Sequence, residues 1–265
     1  MQSDLNILQI DNLSKYFGGL AAVDKCSLKI KRGSITGIIG PNGSGKTTLF
    51  NLIAGNLKCS EGQVLFNNEN ITDVPSYELF SKGLLRTFQI AHEFSNLTVL
   101  ENLMMVPGNQ SGEHLTNALF NPKKVNQEEK KIKQKALEVI DFLNLTQLSH
   151  ELAGNLSGGQ KKLLELGRTM MVEAKLVLLD EVGAGVNRTL LKDIGSAILR
   201  LNKEKGYTFC MIEHDMEFIS RLCNPVIVMA EGSVLFEGTS DQVKTNEKVI
   251  ESYLGRGSKI KEEDI

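Results

Sequence analysis

Gly40, Pro41, Asn42, Gly43, Ser44, Gly45, Lys46 and Thr47 run in the order G-x-x-x-x-G-K-T. Glycines so spaced let successive backbone amides turn inward as a nest for phosphate oxygens, and a helix starting just after them adds positive potential. In such a cradle the Lys46 ammonium reaches β- and γ-phosphate oxygens, and the Thr47 hydroxyl is a ligand for Mg2+. A second stretch, Leu176-Val177-Leu178-Leu179, runs directly into Asp180-Glu181. A buried strand ending in two acids presents both at its C-terminal rim, where open α/β sheets bind ligands. Asp180 then suits the metal's outer shell, and Glu181 suits general-base work on an attacking water.

The elements around these residues have the required periods. Ile35–Ile39 is a short β-branched run entering the glycine loop, and Thr47–Ala54 reads as the following helix, ended by Gly55. Ile7–Leu13 and Val23–Ile30 alternate apolar and polar residues, as half-buried antiparallel strands do. Residues 56–85 read as small strands and turns. Thr98 and Glu101 offer a capping box, residues 106–126 read as a long loop, and Gln127–Leu143 as an amphipathic helix with Ile132, Ala136, Val139, Ile140 and Leu143 on one face. Lysines 123, 124, 130, 131, 133 and 135 are interleaved with Glu128, Glu129 and Glu138, the composition of a solvated face and not of a nucleic-acid patch. A helix Gln160–Met171, the strand Leu176–Leu179, a helix Thr189–Lys205, a strand Thr208–Ile212 and a hairpin of Val226–Met229 with Val234–Phe236 complete the pattern, and the charged tail from Gly255 is expected to fray.

The fold class expected is α/β: a P-loop NTPase (RecA-like) core over residues 1–88 and 165–240, with an N-terminal antiparallel β-subdomain, an inserted α-helical subdomain at 89–164 and a C-terminal extension at 241–265. The 265 residues are 41% hydrophobic and 23% charged, enough to build a core. Thirty Lys and Arg against 32 Asp and Glu give a formal charge of −2, so no global field draws the chain to nucleic acid or anionic lipid. No apolar run reaches the roughly 20 residues of a membrane span, and the start shows no secretory pattern, so a cytosolic address is expected. Cys26, Cys59, Cys210 and Cys223 lack metal-ligand spacing and read as small hydrophobes. The 24 glycines, by contrast, cluster at 17–19, 40–45, 157–159 and 183–185, beside apolar segments, where backbone approaches something closely.

Between the two chemical stretches lies Leu156-Ser157-Gly158-Gly159-Gln160. An LSGGQ match arises by chance in roughly one chain in several thousand at average residue usage. With this motif in place the chain resembles the ATP-binding subunit of ABC transporters over about residues 5–240. The resemblance implies ATP and Mg2+ as ligands, held by Gly40–Thr47 with Thr48 beside them. It makes Gln89 the glutamine that contacts metal or water at a hinge, Glu181 the base, His214 the switch histidine at the γ-phosphate, and Phe17 the adenine-stacking aromatic, with Tyr16 next in line. Thr47, Gln89 and Asp180 become the metal-side residues. Val182–Asn187 takes the place of the D-loop, with Gly185 and Asn187 facing a second subunit. Ser157 and the amides of Gly158 and Gly159 would bind the γ-phosphate held by that partner's cradle, so the working unit implied is a homodimer or a heterodimer with a second ABC ATPase.

The segments KYFGGLAAV (15–23), RTFQI (86–90), LTVLENL (97–103), AGVN (184–187) and VIESYLG (249–255) look like the branched-chain amino acid importer class, which also includes urea and short-amide systems. Such a subunit sits on the cytoplasmic face of the inner membrane, bound to two permeases and served indirectly by a substrate-binding protein, with no nucleic acid. Val182 and Arg188 stand where the family often has proline, which loosens the D-loop backbone in principle. Exporter ATPases of the lipopolysaccharide type share the same catalytic residues, and non-transport ABC ATPases remain a further alternative. Small-molecule P-loop kinases have no use for LSGGQ.

Overall fold

The computed structural model of the chain describes residues 5–87, 93–108, 110–113, 120–172 and 174–254. The structure divides into two compact units, one of Met1–Arg86, Lys175–Val182 and Leu199–Ile265, the other of Thr87–Ala174 and Gly183–Ile198.

The first unit carries two sheets. Strands β1 (Asn6–Phe17) and β2 (Leu20–Lys31) form an antiparallel hairpin, and β4 (Glu61–Phe66) and β5 (Glu69–Asn70) extend it in the order β2-β1-β4-β5. Leu8 and Ile10 face the core two residues apart, but the expected alternation is not strict: Ile7 is buried beside Leu8, and a register shift after Ile10, with Asn12 at φ 47, brings Leu13 into the core three residues on. The second sheet has the order β10-β9-β3-β8-β7-β6, built from β3 (Ile35–Ile39), β6 (Leu84–Arg86), β7 (Leu176–Asp180), β8 (Thr208–Ile212), β9 (Val226–Ala230) and β10 (Ser233–Gly238). Its pairs are parallel except the β9–β10 hairpin, which turns through Glu231 and Gly232, both at positive φ. Every residue of β3, β7 and β8 is buried, which is why these strands read as unbroken apolar runs and not as alternation. The crossovers leave the C-terminal ends of β3 and β7, and hence the glycine loop and the two acids, on the same rim of one sheet.

Helix α1 (Lys46–Ile53) follows the loop, and Gly55 at φ 69 stands just beyond its end. Residues 56–85 contain more than strands and turns. Helix α2 (Ser76–Lys82) begins after Pro75, carries Glu78 in its first turn and closes on Gly83 in the left-handed region, all terminus signals that a seven-residue apolar pattern is too short to advertise. Helices α7 (Met216–Leu222), α8 (Ser240–Thr245) and α9 (Glu247–Leu254) complete this unit, and α6 (Arg188–Lys205) passes into it from the second.

The second unit holds α3 (Val99–Met104), α4 (Pro122–Phe142) and α5 (Gly158–Met170). Thr98 and Glu101 form the anticipated capping box at α3. Helix α4 starts five residues earlier than its periodicity shows because Pro122 occupies its first turn, where the missing N–H costs nothing. Ala136, Val139, Ile140 and Leu143 are buried as expected, and all six lysines of the solvated face are exposed. Asn102 is fully buried. Its amide nitrogen donates to the carbonyls of Phe94, Leu97 and Thr98, and its oxygen accepts from the Phe94 amide, fixing the turn before α3.

Candidate functional site

Strand β3 delivers the chain into the cradle at Gly40, and α1 receives it at Lys46. Gly45 precedes the helix at φ 97, and a Cβ there would lie 2.4 Å from the Ala22 carbonyl oxygen, so only glycine fits between the loop and β2. The β9–β10 turn supports the loop from another side, the Gly232 amide donating to the Ser44 carbonyl at 3.1 Å. Lys46 is buried, and its Nζ donates to the carbonyls of Gly40 at 2.8 Å and Pro41 at 3.1 Å and lies 3.4 Å from Ser44 Oγ. Burial lowers its pKa, with the charges of Glu181 and Asp180 pulling back upward. The ammonium thus rests on loop carbonyls, contacts it can exchange for phosphate oxygens. Thr47 is exposed, Thr48 half-buried, and Asn42 and Gly43 form the exposed crest.

Asp180 is the last residue of β7, buried, with Oδ2 accepting from Arg86 Nη2 at 2.7 Å. Glu181 follows at φ 49, an uncommon conformation for a residue with a side chain, and its amide donates to the Ile212 carbonyl at 2.9 Å. Its Oε1 lies 3.1 Å from His214 Nε2. His214 is half-exposed just past β8, held in place because the next residue, Asp215, caps α7 through the amides of Glu217 and Phe218. The first unit therefore brings Lys46, Asp180, Glu181 and His214 together at one sheet rim. Phe17 lies at the β1–β2 hairpin, half-exposed, with Lys15 Nζ 5.3 Å from its ring centre.

In the second unit Ser157 is the N-cap of α5. Its Oγ accepts from the Gln160 amide and Gln160 Oε1 accepts from the Ser157 amide, a second capping box that the motif reading passed over. Leu156 is buried, while Ser157 and Gly158 are exposed at the helix N-terminus. Gly159 is glycine for packing as well: a Cβ there would stand 2.6 Å from Leu190 Cδ1. Residues 183–187, where two missing prolines are expected to loosen the backbone, carry local hydrogen bonds of their own. Val186 N closes a turn on the Gly183 carbonyl, Gly185 takes φ 72, and Asn187 Oδ1 accepts from Leu190 N, capping the start of α6 in place of proline's ring. Lys161, one residue past LSGGQ, pairs with Glu93 at 2.7 Å. Gln89 lies outside the described residues.

Arg86 and Asn51 had no role in the sequence reading. Arg86 bridges Asn51 Oδ1 on α1, at 2.6 Å, and Asp180 on β7. Their separation along the chain hides the cluster from any local pattern, although Arg86 lies within the quoted RTFQI.

The donors at the rim are a hydroxyl, Thr47, and two carboxylates, all hard oxygen ligands. Among the described residues no group of three or more His, Cys, Asp and Glu is placed to hold an ion. A set of this kind fits Mg2+, which is bound by one or two protein oxygens and completes its shell with phosphate and water.

A parallel sheet with this loop between β3 and α1, and acids at the end of β7, defines a nucleotide-binding protein of the P-loop NTPase class. The family model for ABC transporters matches residues 23–184, and one for branched-chain amino acid ATP-binding cassette transporters matches residues 233–259. A probable branched-chain amino acid transport ATP-binding protein, LivG, of Archaeoglobus fulgidus is 41% identical over 95% of this chain and 96% of its own length. Its namesake in Methanocaldococcus jannaschii is 41% identical over 96% of this chain and 100% of its own. Among solved structures, the ADP conformation of an ATP-binding cassette of an ABC transporter superposes with TM-score 0.80 at 40% identity, covering 94% of this chain and 99% of that one. The chain belongs to the ATP-binding subunits of ABC transporters, the ATPases of these systems, in their branched-chain amino acid class.

Proposed function

We infer that this chain is the motor of an importer of branched-chain amino acids, working at the cytoplasmic face of the inner membrane as a dimer of ATPase subunits on two permeases. The observation that carries the chemistry is the convergence of Lys46, Asp180, Glu181 and His214 on one sheet rim. The names of these two relatives and the match at residues 233–259 support the transport class. In this reading the second ATPase subunit and the permeases are separate chains; among the described residues no helix is long and apolar enough to cross a membrane.

In the proposed cycle the backbone amides of Asn42–Thr48 and the Lys46 ammonium bind the phosphates of ATP, with Gly40 and Pro41 shaping the loop, and Phe17 stacks on the adenine. Thr47 and Asp180, with Gln89, would hold Mg2+, which when bound would supply charge neutralisation at the phosphate oxygens. Glu181 takes a proton from the attacking water, and His214 donates to the γ-phosphate as charge develops. Ser157, Gly158 and Gly159, with Leu156 and Gln160 shaping the helix start, close on the ATP of the opposite subunit, and Gly185 and Asn187 border the same interface. Loss of the bridging γ-phosphate then releases the pair, which is the step that drives the permeases.

The test is uptake of labelled leucine, isoleucine and valine by source cells lacking this chain. Uptake is expected to fall and to be restored by the wild-type gene but not by Lys46→Ala. Unchanged uptake of all three, with loss of urea or short-amide uptake instead, overturns the substrate assignment.

A further inference from the structure

We propose that Arg86 is a positioning residue for the metal-side acid: it fixes Asp180 through one oxygen while anchoring itself to the helix that follows the phosphate cradle. The inference rests on the reading of Asp180 as the Mg2+-side carboxylate.

Arg86 ends β6, the edge strand, in register with Leu178 of β7. From there its planar fork reaches two elements at once, Nη1 to Asn51 Oδ1 at 2.6 Å and Nη2 to Asp180 Oδ2 at 2.7 Å. The side chains of the ion pair are 12% and 6% exposed. A buried ion pair recovers its desolvation cost only with good geometry and contributes little net stability, so its presence is better explained by what it orients. Arg86 Nε, moreover, is buried without a hydrogen-bond partner among the described residues, a cost that a group serving stability alone has no reason to bear. The contact engages Asp180 through Oδ2 alone, which fixes the carboxylate plane and leaves Oδ1 for the metal's water shell. Asn51 lies on α1 four residues beyond Thr47, so one guanidinium ties together the two elements that supply the metal-side hydroxyl and the metal-side carboxylate. Lysine, with a single point charge, cannot span both partners. Outer-shell partners that orient a metal site typically change metal affinity by about 10–100-fold when removed.

The experiment uses the full-length chain with a non-hydrolysable ATP analogue and reads Mn2+ affinity by electron paramagnetic resonance. Nucleotide affinity in EDTA and the thermal midpoint are measured on the same samples. Arg86→Gln is expected to weaken Mn2+ by about tenfold while leaving metal-free nucleotide affinity within about twofold, with Arg86→Lys recovering only part of the loss. Asn51→Ala removes one arm of the fork without a charge change and is expected to weaken Mn2+ in the same direction, which keeps the test open if Arg86→Gln does not fold. Wild-type Mn2+ affinity in folded Arg86→Gln, or in Asn51→Ala when Arg86→Gln does not fold, overturns the proposal even if the thermal midpoint falls, because that is the signature of a purely structural strut. Asp180→Asn separates the two levels: if it leaves Mn2+ affinity unchanged, the metal-side reading of Asp180 fails and takes this proposal with it.

Discussion

Glu181 and His214 meet at 3.1 Å from the rims of two neighbouring strands, the carboxylate at the end of β7 and the imidazole just past β8. The pairing holds the proposed base beside the group expected to donate to the γ-phosphate, and it depends on the left-handed backbone of Glu181 and on the Asp215 cap that fixes the chain after His214. His214→Ala removes a donor to developing charge, a change that typically costs about 10^2–10^3 in kcat. Steady-state phosphate release with parallel ATP-binding titration checks it: kcat is expected to fall far more than affinity, and an unchanged kcat refutes the role.

Gly159 makes a structural prediction inside the signature motif. A methyl at this position collides with Leu190, so Gly159→Ala is expected to cost about 1–3 kcal/mol by overpacking. Thermal unfolding reads this directly. Pairing Gly159→Ala with Leu190→Ala is expected to return part of the loss, since it removes the Cδ1 and Cγ contacts and leaves the Cβ one. Equal destabilisation in the single and double variants would place the glycine's value elsewhere.

The thiols set a pH limit. Burial pushes Cys26 and Cys223 up to about 12 and raises Cys210 as well, while all three are free thiols. The folded chain keeps these protons, whereas the unfolded chain releases them above about 9, the ordinary value. Stability from these groups is therefore full below pH 9 and lost as pH rises from 9 toward 12. Native protein at pH 8 is expected to give at most one thiol, the half-buried Cys59, to Ellman's reagent, and four after denaturation. Rapid native modification of three or more would contradict the packing.

The sequence's legibility followed the range of the forces involved. Ile35–Ile39, Thr208–Ile212 and the Thr98–Glu101 cap were readable because β-branched runs and capping chemistry act within a few residues. Helix α2 was hidden by its shortness, and the start of α4 by a polar first turn, Pro122-Lys123-Lys124, that carries no apolar period. Lys46 and the acids announced themselves by type and spacing. Arg86, Asn51 and the Gly159–Leu190 contact did not, because each depends on partners brought together only by the fold, as does the grouping of residues 183–198 with the helical unit. Residues 182–188 are a different case: two missing prolines read as slack, while the structure adds a hydrogen bond from Leu190 N to Asn187 Oδ1 at the start of α6.

The central claim is that Glu181 drives cleavage of ATP held by the Lys46 cradle. Its most direct measurement is a single turnover of radiolabelled ATP on wild type and Glu181→Gln, with oligomeric state followed by size-exclusion chromatography. Loss of this proposed general base is predicted to slow cleavage by about 10^2–10^4, leaving ATP intact in an ATP-dependent dimer. Cleavage at the wild-type rate, or no ATP retained in that variant, would contradict the account.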